Sequence, residues 1–71
     1  MNKEIATKIN QIMLEYSKQL DESVRLVMEN CEREEFERYR DAVGQIMGTM
    51  LLEILNPLYQ EHSDIKPSQL D

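Results

Sequence analysis

Tryptophan is absent, cysteine and histidine occur once each, and glycine and proline number two apiece in 71 residues. With Cys31 alone, no disulfide can form within the chain, and an unpaired cysteine suits a reducing compartment. Zinc sites draw on several Cys and His ligands, and helix-bundle di-iron sites use Glu-x-x-His; neither arrangement is present. A Gly-rich phosphate loop and a Ser/His/Asp set are also missing. No catalytic residue, metal ligand or cofactor is therefore assigned, and the chain is not expected to be an enzyme.

Long apolar runs are missing too. The stretch poorest in charge, Ala42 to Leu58, is broken by Glu53 and falls short of the roughly 20 apolar residues that a membrane span requires. The opening residues Met1-Asn2-Lys3-Glu4-Ile5 lack the basic and apolar segments of a signal peptide. Positive charge is scarce: Lys and Arg total 8 against 14 Asp and Glu, a net charge of −6. The deficit is spread along the chain, so no basic cluster exists for a nucleic-acid backbone or an anionic membrane. A cytoplasmic protein without nucleic-acid or membrane partners is the expectation.

What the chain does contain is helical periodicity. No glycine or proline precedes Gly44, and such an unpunctuated stretch favours long helices. Asn2 is placed to cap a first helix. Ile5, Ile9, Ile12, Tyr16, Leu20, Val24, Val27 and Cys31 then recur at steps of three and four, predicting a helix over about 3–29 with that stripe turned inward. A corner is predicted within 29–35, with Asn30 as cap and Glu32, Glu34 and Glu35 near the positive end of the next helix dipole. A single helix of about 80 Å is the competing reading.

The second helix is predicted over about 32–56. Phe36, Tyr39, Val43, Ile46, Met47, Met50, Ile54 and Leu58 fill an arc of about 120° that would face helix 1. From residue 44 on, Gly44, Gly48, Leu51 and Leu55 widen the apolar surface to about 200°, leaving Gln45, Thr49, Glu53 and Asn56 with Leu52 toward water. Asn56-Pro57 is expected to end or kink this helix. A further turn and an extended tail, anchored by Ile65 and Leu70, would complete one helical domain over residues 1–71.

Each glycine inside a helix costs about 1 kcal/mol relative to alanine. Two of them one turn apart suggest that another backbone approaches there. The fold expected is thus all-α: an antiparallel two-helix hairpin with a short C-terminal extension, paired into a homodimeric four-helix bundle through Gly44, Met47, Gly48, Leu51 and Leu55. A chain this short buries only about 60% of its unfolded surface and commonly relies on oligomerisation.

Other features read as structural. The internal methionines Met13, Met28, Met47 and Met50 are core filling, Cys31 a small buried residue, and His62 and Glu53 exposed. Glu29 with Arg33 and Glu34 with Arg38 are candidate ion pairs, and the stem of Arg40 is placed to cover the edge of the apolar arc. The function expected is that of an interaction or scaffold module, a homodimer that also contacts another protein. A small chaperone sheltering an amphipathic client helix is the first alternative, and a peripheral-membrane or regulatory helix the second.

Overall fold

A computed structural model describes residues 1–67; Leu70, the second expected tail anchor, lies outside them. The chain is an all-α antiparallel hairpin. Helix α1 runs Lys3–Asn30 and α2 runs Arg33–Met50; a π-helical turn Leu51–Leu55 leads directly into α3, Asn56–Glu61, and a 3₁₀ turn follows at Ser63–Ile65. The longest dimension is 44 Å, which excludes the single long helix.

Local chemistry sets the ends of α1. The Asn2 side chain accepts from the Ile5 amide at 2.9 Å, satisfying one of the donors that a helix start leaves unpaired. At the other end the Asn30 side-chain amide donates to the Leu26 carbonyl at 2.8 Å. Asn30 thus closes α1 instead of capping α2. The connection is two extended residues, Cys31 and Glu32, and Glu32 stands at the cap position of α2. Glu34 and Glu35 occupy the first turn of α2, as its dipole favours.

Pro57 does not end the second helix. Asn56 is fully helical, with φ −60° and ψ −45°, and α3 carries the proline in its first turn. Within an ordinary α-helix the proline ring would strike the carbonyl of residue 53. The wider turn over Leu51–Leu55, in which the Asn56 amide reaches back to the Leu51 carbonyl, accommodates the ring upstream of it. A π turn holds one residue more than an α turn. That extra residue rotates the following positions, and Leu55 takes the inward place expected of Ile54. Leu55 is 4% exposed and Ile54 39%.

The core is small and lies toward the open end of the hairpin. Ala6, Leu55, Leu58 and Tyr59 are buried together, with Ile9, Met13, Met50 and Ile65 packed against them. The tail is therefore not extended: its 3₁₀ turn brings Ile65 onto the core, and the Ile65 carbonyl accepts from the Asn10 amide at 3.2 Å. Asn10 itself is buried, and its side-chain oxygen accepts from the Tyr59 hydroxyl at 2.5 Å. Further along, Ser17 Oγ meets Met50 Sδ at 3.3 Å and the Tyr39 hydroxyl donates to Ser23 at 2.8 Å.

Over its first half helix α1 turns a different face inward from the one that hydrophobicity selects, whereas Leu20, Val24 and Val27 of the expected stripe are half-buried. Ala6, Asn10, Met13, Ser17, Leu20, Val24 and Val27 are its buried or half-buried line, at steps of four and three, the spacing of a coiled-coil seam. Ile5, Ile12 and Tyr16 are instead 42%, 46% and 57% exposed. Small and polar residues at 6, 10 and 17 let α2 and α3 approach closely, and the polar ones find partners there.

Candidate interaction surfaces

The hairpin leaves two apolar flanks uncovered. On α2, Gly44 and Gly48 lie about 40° apart around the helix, and among the described residues nothing beyond the helix's own neighbouring backbone comes within 4 Å of the position a Cβ would take on either. Leu51 and Leu52 beside them are 39% and 66% exposed, and Met47 is half-buried at the strip's inner edge. The expected set Gly44, Met47, Gly48 and Leu51 is thus brought together on one side of α2. Leu55 is not among them, because the π turn has rotated it into the core. Among the described residues, no other element's backbone approaches the two glycines.

The other flank belongs mainly to α1. Ile12 and Tyr16 line an open groove with Lys8, Gln11, Glu15 and Gln19. The bond from Tyr39 to Ser23 fixes which side of α2 adjoins this groove. Ile46, 52% exposed, shares that side with Tyr39, two helical turns on. Ile46 and Ile54 were both expected to face α1; Ile46 stands at the edge of an arc too broad for one helix to cover. The signal for this flank was present in the sequence, in the same Ile5, Ile12 and Tyr16 that periodicity had assigned inward.

Folded monomers of 8.4 kDa expose about 4,600 Å², whereas this chain exposes 5445 Å². The excess of several hundred Å² is comparable with the roughly 800 Å² that each partner contributes to a standard interface.

The remaining candidates resolve plainly. Cys31 is exposed at the corner, not buried, because the chain is extended there and leaves the α1 seam. His62 is largely covered instead of exposed: its Nε2 lies 2.9 Å from the Met1 carbonyl oxygen and 3.1 Å from Glu61 Oε1. The two residues sit at opposite ends of the hairpin. Glu53 is exposed. Met13 and Met50 pack on the core, whereas Met28 is 53% exposed. Arg33 pairs with Glu37 at 2.9 Å, one turn on, and Arg40 lies over the Phe36 ring, 5.4 Å from its centroid, a cation–π contact.

The open end is tied by charge. The Met1 amino group meets Glu61 at 3.1 Å, and Lys3 pairs with Asp64. The amino group, by hydrogen bond and charge, and secondarily His62, hold the Glu61 carboxyl below its ordinary range; Lys3 does the same for Asp64. Burial raises the pKa of the Tyr59 hydroxyl. Among the described residues, no group of three His, Cys, Asp or Glu could hold a metal ion, and no helix is long and apolar enough to cross a membrane. Neither a protein family, nor a curated protein, nor a solved structure matches the chain.

Proposed function

We propose that this chain is an interaction module that acts as a homodimer and presents its remaining helical faces to another protein. The observation that carries the reading is the pair of uncovered apolar flanks on so small a core. Ile12, Tyr16, Ile46 and Leu52 are each more than two-fifths exposed, and covering what remains of such side chains contributes about 1–2 kcal/mol apiece, roughly half the value for burial from full exposure. Paired hairpins would form a four-helix bundle, the common way for two-helix units to complete a core. The setting proposed is the cytoplasm, where an exposed thiol such as Cys31 stays reduced.

Sedimentation velocity across the micromolar range tests it. A species of twice the chain mass supports the proposal, and a folded monomer throughout would sink it. The Ile12–Tyr16 groove favours a second reading, a small chaperone that shelters an amphipathic client helix. Such a protein, alone, would bind hydrophobic dyes and melt without cooperativity, whereas the dimer would leave dyes dark and melt sharply.

A further inference from the structure

Helix α1 carries two coiled-coil seams; the first is packed within the chain, and the second stands largely uncovered, with Ile9 packing on the core and Ser23 accepting from the Tyr39 hydroxyl at its inner edge. The first, from Ala6 through Asn10, Met13 and Ser17 to Val27, packs on α2 and α3. The second is displaced about 100° around the helix and runs Ile5, Ile9, Ile12, Tyr16, Gln19, Ser23, Leu26, again at steps of four and three. A helix with two such seams is built to lie between two other helices. Ile9 lies between the seams and is half-buried; Ile5, Ile12, Tyr16 and Leu26 stand 42%, 46%, 57% and 63% exposed.

We infer that the second seam is occupied by the same seam of a second copy, running antiparallel about a two-fold axis. This rests on the homodimer reading above and assigns its face. Sequence pattern selects both occupant and register. In antiparallel coiled coils each knob faces a hole beside the complementary position of its partner. Setting Ile9 against Ile12 of the second copy also sets Ile5 against Tyr16, so the four apolar residues bury one another and the polar Gln19 and Ser23 fall outside the contact. The same register brings Lys8 opposite Glu15 of the second copy, twice, because an isologous contact repeats every pair. Sliding the helices by one heptad sets Glu15 against its own counterpart and faces Ile5 with Ser23. Among the described residues of its own chain, Lys8 has a long, exposed pairing with Glu4 at 3.8 Å. At about 100° between seams, the second copy's α1 takes the corner of a square bundle, and the exposed side of α2 bearing Ile46 and Ile54 turns toward its counterpart.

The test is a charge swap read by sedimentation. Lys8→Glu and Glu15→Lys each place two like-charged pairs across the interface and should weaken dimerisation about tenfold. The double variant Lys8→Glu/Glu15→Lys should return to within about threefold of the parent. Ile12→Glu, at an exposed position whose change leaves the hairpin helical by circular dichroism, should weaken the dimer at least ~100-fold by burying a carboxylate against Ile9 of the second copy. A double swap as weak as the two single changes combined would overturn the register and the face together. A dimer abolished by Gly48→Leu but indifferent to Ile12→Glu would overturn this assignment and leave the homodimer standing. A parent chain that is monomeric would remove both.

Discussion

The contact between Tyr59 and Asn10 is the place where one atom should matter most. Tyr59→Phe deletes the hydroxyl that donates to Asn10 Oδ1 at 2.5 Å, and both residues are all but closed to solvent, at 6% and 7% exposure. Water cannot replace the donor in so closed a site. The loss is therefore that of a buried acceptor left unsatisfied, about 1–3 kcal/mol. A chain of this size has a total stability of roughly 4–10 kcal/mol, so the fraction at stake is large. At about 4–8 °C per kcal/mol for small domains, the melting temperature should fall by roughly 5–20 °C in far-ultraviolet circular dichroism at neutral pH. The cycle completes with Asn10→Leu. On that background the acceptor is gone, so Tyr59→Phe should cost less than on the parent, with a coupling of about 0.5–3 kcal/mol. Equal costs on the two backgrounds, or an unmoved melting temperature, would refute the claim that this bond fastens α1 to α3.

Four further outcomes are expected. Gly44→Ala should raise monomer stability by about 1 kcal/mol, since open space awaits the added methyl; chemical denaturation measures it, and a loss would mean an occupied strip. Deleting Leu52, which is 66% exposed, should turn the π turn into ordinary α-helix and drive the Pro57 ring against the preceding turn, at a cost of about 3 kcal/mol read by chemical denaturation and recovered by Pro57→Ala; an unmoved stability would show that the wide turn does not serve the proline. The carboxyls of Glu61 and Asp64 are held below their ordinary values of 4.5 and 3.8, so their contribution is complete above those values and lost as pH falls through the lowered ones. Lys3→Met should blunt that acid loss in a pH series of melting temperatures. Tyr59 is shifted the other way, above its ordinary 10.0: its contribution is whole below pH 10 and fades as pH climbs through the raised value, and Tyr59→Phe should abolish that alkaline decline.

The hairpin itself was legible because punctuation and periodicity agree. Asn2 caps α1 as its side chain suggests, and the acidic cluster after Cys31 marks the start of α2. The inward face of the first half of α1 was not legible from hydrophobicity, since Asn10 and Ser17 lie on the packed seam and Ile12 and Tyr16 off it, while Leu20, Val24 and Val27 lie on it as periodicity suggests. Polar side chains with partners on another element look like surface residues until that element is placed. The 6-10-13-17-20-24-27 spacing was nevertheless present, and weighing small and polar positions at heptad intervals would have found it. The second failure has a backbone cause. Counting 100° per residue through Leu51–Leu55 assumes an α-helix, and one inserted residue exchanges Ile54 for Leu55 and withdraws Leu55 from the glycine strip. Pro57 was the available signal, but its ring can be met by widening the preceding turn as well as by ending the helix.

The concentration of the core at the open end has a dynamic consequence. Ala6, Asn10, Leu55, Leu58 and Tyr59 clamp the first turns of α1 to the π turn and α3, while the stretch around Cys31 is held by half-buried side chains such as Val27 and Phe36. Local opening costs least where buried contacts are fewest. The chain should therefore breathe from its bend inward, with amides near the bend exchanging first and those around Asn10 and Tyr59 last, the reverse of a hairpin that opens from the far end.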